Sequence, residues 1–300
     1  MKTKQWFLSV ALSLVAFALQ AQDYAFQVMI NKGANEVKSG TTWAPVKTGA
    51  SLKPGDEIKV SDNAYLGLRH TSGKMVEVKK AGPYKVADLA ANVTGGSSVL
   101  NKYTDFILSS NSAEAKKNRL SATGAVHRGS ADAINLYLPE NQFSGIFGTK
   151  VILNWEAKMA GPYVIELQNM FEDVLATYET TETSYLVDLS DPKLADKDLN
   201  AIMVKVSSKT DAKQSSAVKM IKKLSADEDK KVKAAMTEVS GALQEETAIN
   251  KYVLANFYEQ NNLMVDAITA YQEAIKLEPS FKEDYEDFLI RKGMKQAKQQ

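Results

Sequence analysis

Few side chains in this chain have the type and spacing that chemistry needs. There are two histidines, His70 and His127, and no cysteine. Without a thiol, disulfides, thiolate nucleophiles, CxxC redox pairs and cysteine metal sites are excluded. His70 ends an alternating apolar run and His127 lies in a polar stretch, so they form no ligand-spaced pair, and HExxH is absent. Counting leaves a Ser-His-Asp triad open, but no Gly-x-Ser-x-Gly elbow is present to expose a serine. Gly95-Gly96-Ser97-Ser98 suits a phosphate at a helix N-terminus, yet no Gly-Lys-Ser/Thr follows, and a turn with a helix cap explains it more simply. Asp227-x-Asp229 hints at calcium, but Lys230-Lys231 follow directly and no further ligand spacing exists; acids in a first helical turn suit the helix dipole. Asp196 with Asp198, and Glu245 with Glu246, sit in polar or helical surface contexts. A glycosidase can place its two carboxylates far apart in sequence, but the β segments here are small and the helices too few for a typical catalytic barrel. The expectation is a chain that is not an enzyme and carries no metal or cofactor.

Lys and Arg number 37 against 36 Asp and Glu, a balance that argues against a general nucleic-acid binder. At 300 residues the chain has room for two or three domains. The first residues read as a secretory signal over 1–21. Lys2 and Lys4 precede an apolar run from Trp6 to Leu19, and Leu19-Gln20-Ala21 offers cleavage before Gln22, with Ala16-Phe17-Ala18 as a second choice. The alternative, a membrane anchor, needs a longer run of ~20 apolar residues. No later segment is apolar enough to span, and no cysteine follows the signal to carry a bacterial lipoprotein anchor. The chain is expected to be exported and to meet a membrane only through partners.

From Glu36 to Val78, short alternating apolar runs are punctuated by Gly40, Gly49, Gly55-Asp56, Asn63 and Ser72-Gly73. Such punctuation predicts short strands and tight turns, with Gly55-Asp56 and Ser72-Gly73 favouring antiparallel hairpins. Tyr24 to Ile30 reads as a first strand. Gly82-Pro83 reads as a turn, with Tyr84-Lys85-Val86 adding a strand. Trp43-Ala44-Pro45, Gly55-Asp56 and Asn63-Ala64-Tyr65-Leu66-Gly67-Leu68 fall in the order of the periplasmic FecR-like domain, which residues 36–78 resemble. Ser97 or Ser98 is placed to cap a helix carrying Val99, Leu100, Tyr103, Phe106 and Ile107 at helical spacing, expected to pack on this β domain. The first domain is therefore drawn as 23–108, followed by a polar linker, 109–132.

Residues 133–224 carry a second β pattern: Ile134 to Pro139, Val151 to Trp155, Tyr163 to Leu167, Val174 to Tyr178, Tyr185 to Leu189, Ile202 to Val206, and Val218 to Ile221 as a closing strand. Even spacing and alternating faces predict a β-sandwich, with Trp155, Tyr163 and Ile165 as core anchors. Leu153-x-Trp155 followed by Tyr163-x-Ile165-x-Leu167 resembles immunoglobulin-like or fibronectin type III domains over about 133–221, without a disulfide.

Ser225-Ala226-Asp227-Glu228 is a capping box opening a helix through Val232, Ala235, Met236, Val239 and Leu243. Leu254-Ala255, Tyr258, Ala267, Tyr271, Ala274 and Pro279 then match a tetratricopeptide repeat, which 248–281 resembles; the usual opening aromatic is missing, and Lys251 stands in its place with Tyr252 next to it. Asn261-Asn262 supplies the turn between its helices. One repeat cannot bury its apolar face alone, so a small helical domain over 225–293 is expected, with Phe281, Tyr285, Phe288 and Leu289 on a capping helix and a tail at 294–300. The resemblance implies that the first helix of the repeat presents Ile249, Tyr252, Asn256, Glu259 and Gln260 as a protein-binding face. The alternative is that this face packs on the helix ending near Leu243.

The fold class expected is thus multidomain α+β: a small FecR-like all-β domain, a β-sandwich and a C-terminal helical repeat-like domain. All three resemblances imply modules that hold other molecules. The expected function is a non-catalytic adaptor joining other envelope proteins in the periplasm of a Gram-negative bacterium, reaching the outer membrane through partners, in a secretion or motility assembly. Two other readings stand beside it: a peptidoglycan or glycan binder stacking sugars on Trp43 and Tyr65, and an accessory to FecR-type signalling.

Overall fold

The computed structural model describes residues 24–96, 100–110, 133–195 and 200–296. The expected signal segment, the Ser97/Ser98 cap with Val99, linker residues 111–132 with His127, Asp196, Asp198 and the last four residues lie outside the described ones. The class is α+β, with several antiparallel sheets and seven α-helices among the described residues. Two compact units divide after Gly96.

The first unit holds β1 (Phe26–Lys32), β2 (Glu36–Ser39), β3 (Thr42–Pro45), β4 (Ser51–Leu52), β5 (Glu57–Val60), β6 (Tyr65–His70), β7 (Met75–Val78), β8 (Gly82–Lys85) and α1 (Val86–Ala91). The strands form two four-stranded sheets, ordered β4-β1-β6-β7 and β3-β2-β5-β8, with every pairing antiparallel. Phe26, Val28, Leu66 and Leu68 from one sheet share a core with Ile58, Val60 and the first residue of α1, Val86. Ser72-Gly73 makes the expected hairpin between β6 and β7, with Gly73 at φ +85°. Gly55-Asp56 does something else: β4 and β5 lie in different sheets, so this turn is a corner. Asp56 builds it by accepting from the Lys53 N–H at 2.8 Å and the Ser39 hydroxyl at 2.7 Å. Gly82-Pro83 lies inside β8, and Val86 starts a helix rather than ending a strand. A proline is tolerated there because β8 is an edge strand.

The second unit begins with α2 (Asn101–Ser110), whose last turn takes Ser109 and Ser110 from the expected linker. Next come β9 (Ile134–Leu136), β10 (Gly145–Ile146), β11 (Lys150–Ala157), β12 (Tyr163–Gln168), β13 (Val174–Thr180), β14 (Ser184–Asp188), α3 (Pro192–Ala195), β15 (Ala201–Ser208) and β16 (Lys219–Lys223). One sheet runs β10-β16-β15-β12-β13 and the other β14-β11-β9. Period-two alternation sends Tyr163, Ile165 and Leu167 of β12 and Ile202, Val204 and Val206 of β15 into a core shared with Val151, Leu153 and Trp155 of β11. The Trp155 and Tyr163 rings meet edge to face at 5.4 Å.

Four helices follow: α4 (Ala226–Ser240), α5 (Ala248–Gln260), α6 (Met264–Leu277) and α7 (Lys282–Arg291). The capping box at Ser225 is formed, with the Glu228 carboxylate accepting from the Ser225 N–H at 2.9 Å. Thr247 caps α5. Ala255 and Ala267 are fully buried where α5 meets α6, and Asn262 turns between these helices at φ 60°. Lys251 bridges Glu246 at 2.7 Å and Glu273 at 2.9 Å, an ionic link where the sequence pattern lacks its aromatic.

The helix expected on the first β domain packs elsewhere. Tyr103 of α2 meets Phe257 of α5 at 5.2 Å between ring centroids, placing α2 in the second unit. Buried Tyr103 and Ile107, with Leu100 just before the helix, give it an apolar stripe but no code for which partner to choose.

Helix α6 is fastened to the β sheets through polar side chains. Asp266 accepts the Phe147 N–H at 2.9 Å and the Gly148 N–H at 2.7 Å, and Thr269 accepts the Ile152 N–H at 3.1 Å. Asn154 of β11 accepts the Tyr285 hydroxyl of α7, and Val265 enters the sheet core. Asp266 and Thr269 thereby satisfy peptide groups that no neighbouring strand reaches.

Candidate functional site

The face expected to bind other proteins is covered by the chain itself. Ile249, Tyr252, Asn256 and Glu259 are buried, and Gln260 is half-buried. Tyr252 packs on Tyr271 at 5.8 Å and on Phe281 at 4.8 Å. Asn256 spends an amide N–H on the Tyr252 carbonyl at 2.8 Å. Glu259 is closed by Arg291 at 2.7 Å and Lys292 at 3.3 Å from the end of α7. An aromatic layer of Tyr271, Tyr285 and Phe288 continues beneath, with Tyr271 and Phe288 at 4.9 Å. The reason is physical: a single helix pair leaves an apolar face that must be buried, and the next helix of this chain is the nearest cover. The helical site is therefore withdrawn as a free surface.

The histidine that could have served chemistry is a turn element. His70 Nδ1 accepts the Ser72 N–H at 3.1 Å and lies 2.9 Å from Ser72 Oγ. That hydroxyl donates to the Gly95 carbonyl at 2.9 Å. Its single proton is thus committed to a carbonyl, and the geometry closes a hairpin rather than activating a nucleophile. Burial holds the His70 pKa below its ordinary value. Gly96 seals the same spot, since a Cβ there would come within 2.2 Å of the Ser72 carbonyl oxygen. No group of three or more His, Asp or Glu side chains that could hold a metal occurs among the described residues, and no helix among them is long and apolar enough to cross a membrane.

Among the described residues, the two most exposed large apolar side chains sit at a turn of the β sheets. Between β12 and β13, Phe171 is 85% exposed and Met170 67%, and Val174, which opens β13, is 54% exposed. The loop that carries them is held tightly. Asn169 Oδ1 accepts the Phe171 N–H at 2.8 Å and the Asp173 N–H at 2.9 Å, and its amide donates to the Asp173 carboxylate at 2.8 Å. Backbone bonds close the loop from Asn169 to Asp173 at 3.0 Å and from Glu172 to Asn169 at 3.2 Å, with Glu172 at φ 68°. Two large apolar side chains are thereby presented on a fixed backbone beside an exposed acid, Glu172.

The strand register places a second feature at the same end of that sheet. Gln168 at the end of β12 pairs with Met203, and Ala201 pairs with Lys222 at the end of β16. There a small concavity of about 30 Å³, open to solvent, has a floor of Ile146, Leu189, Leu194 and Ile221, of which all but Leu189 are buried, and a rim bearing Lys222 and Lys223.

In the first unit, Trp43 is 39% exposed on edge strand β3, with the Lys38 ammonium 5.9 Å from its ring. Tyr65, its expected companion for sugar stacking, is buried, donates to Glu77 at 2.7 Å and belongs to the core.

Sequence reasoning passed over the 169–173 tip. A signal existed: Asn169 and Asp173 are turn formers, yet they bracket Met170 and Phe171, which a solvated turn has no use for. Lys222 and Lys223 lie just past the expected closing strand, Val218 to Ile221, and carry no signal of their own, because their nearness to Leu194 is a product of folding. No family model matches this chain, and no curated protein matches it.

Proposed function

We propose that this chain is an exported, non-catalytic adaptor that docks onto other proteins in a bacterial cell envelope. On this reading the first unit is a FecR-like module, the paired sheets of 133–224 an immunoglobulin- or fibronectin-like module, and the α5–α6 pair a repeat-like module capped by α7. Peptidoglycan contact and membrane association come through its neighbours. The observation that carries the reading is the Met170-Phe171 tip: large apolar side chains held out on a hydrogen-bonded loop are the anchors that interfaces use. The docking surface moves accordingly from the helices to the β sheets. Photo-crosslinking from position 171 in the intact envelope tests it. Adducts should form in excess of those from exposed Asp211, and parity between the two positions would overturn the proposal.

A second reading has its own observation, the exposed Trp43 ring with Lys38 beside it, which suits stacking on a sugar with a nearby anion. Co-sedimentation with purified peptidoglycan should then fall on Trp43→Ala. Equal pelleting of both proteins would remove it.

A further inference from the structure

We infer that the tip is one half of a self-complementary contact, and that the occupant of the concavity at the end of the β16 strand is the Phe171 tip of a second copy of this chain. The inference rests on the docking reading above and names the partner of that same surface.

Three observations converge. The tip is apolar with an acidic neighbour, Glu172, and the concavity is apolar with a basic rim, Lys222 and Lys223. The charges therefore oppose when one copy's tip meets another's floor. The two features also lie at one end of one sheet. The tip joins β12 and β13, and the concavity lies over β16 beyond β15, so the order β16-β15-β12 separates them by two strand spacings, roughly 10 Å. A tip cannot fold back that distance onto its own floor, because Asn169 fixes its backbone. A two-fold axis passing between tip and floor, however, seats both tips of a pair at once, which closes the assembly at two copies. Because the concavity has room for little more than a water molecule, the Phe171 ring covers its mouth with Met170 beside it, and the contact is small. Such contacts are reversible and concentration-dependent.

A membrane is the less favoured occupant, since Glu172 and Asp173 border the tip and an anionic surface repels them.

The test uses the purified full chain in sedimentation equilibrium from about 1 to 200 μM, a range chosen for a small, reversible interface. A monomer–dimer equilibrium is expected. Phe171→Asp should weaken it roughly thirtyfold, as the loss of a central aromatic anchor does. Glu172→Lys and Lys223→Glu should each weaken it about fivefold at low salt. An equimolar mixture of the two charge variants should recover the wild-type dissociation constant, because each lysine tip then faces a glutamate rim and each native tip a native rim. Unchanged circular dichroism and melting would show that the exposed substitutions leave the fold intact. A chain that stays monomeric at 200 μM, a dimer insensitive to Phe171→Asp, or a mixture that fails to recover would each overturn the self-contact. Loading onto vesicles of neutral and anionic lipid, with the chain monomeric in solution, would assign the tip to a membrane and overturn it too. Envelope crosslinks from position 171 to other proteins, found with a monomeric purified chain, would leave the docking proposal standing while this inference fell.

Discussion

The α5 face and the β12–β13 tip make opposite use of aromatic side chains. On α5, Tyr252 and its neighbours looked like an open groove, and the chain closes it with Phe281, Phe288 and the Glu259–Arg291 pair. On the tip, Phe171 looked like nothing in particular and is left in solvent. Two helices packed as a pair gain most of their stability from burying an apolar face, so an open face there costs the fold itself. A hairpin loop whose peptide groups are already satisfied by Asn169 can expose a ring without destabilising the sheets. An apolar helical face therefore marks where apolar surface must be covered, whereas an apolar pair inside a well-bonded turn marks where it is kept available.

The sharpest way to break this contrast is to cut into the helical layer. Tyr271→Ala should cost about 4 kcal/mol in urea unfolding, since the ring is buried against Tyr252 and Phe288; a loss comparable to that of a surface substitution would mean the face is not closed as described. Acidity probes the fastening of that layer to the sheets. Burial pushes the Asp266 carboxyl up to about 6, although the Phe147 and Gly148 N–H groups pull it down. Its folded pKa thus lies above the unfolded value of about 4. The sign follows: the group contributes stability that is fully present below pH ~4 and is lost as pH rises through ~6, by roughly 3 kcal/mol. Asp266→Asn should flatten that pH dependence in parallel melts at pH 4 and pH 7, and an unchanged slope would discard the assignment. Glu259→Gln comes next, costing about 2 kcal/mol by leaving Arg291 with a neutral partner in a largely buried place. Raised hydrogen exchange in α7 should accompany it. Smallest is Phe171→Ser, expected within about 0.5 kcal/mol of wild type because the ring is exposed. A large loss there would show that the tip supports the fold and is not a contact group.

Strands and helices were largely legible. All seven expected strands of 133–224 fall on strands of the structure, β9 and β11 to β16, with β12 the cleanest in its alternation, because Tyr163, Ile165 and Leu167 need one buried face. The capping box at Ser225 was readable because its bonds are local. Two-residue β10 was not, since it exists only where β16 runs parallel beside it. Gly55-Asp56 was read as a hairpin turn and is a corner, because turn chemistry is the same whether the next strand pairs with the last or leaves its sheet. At the site, the residue types on α5 were identified correctly and their exposure was not. Helical spacing says which side chains share a face, and says nothing of what lies on it.

The sequence alone determined where periodicity switches from two to 3.6, where caps and turns fall, and that no thiol chemistry is available. These follow from interactions a few residues apart. Tertiary structure decided that α2 lies on α5, that α7 closes the Glu259 face, that Asp266 serves two peptide groups 118 and 119 residues away, and that Phe171 shares a sheet end with Lys222 and Lys223. Those outcomes depend on which apolar and polar surfaces find each other across the chain, and local pattern carries no record of that choice.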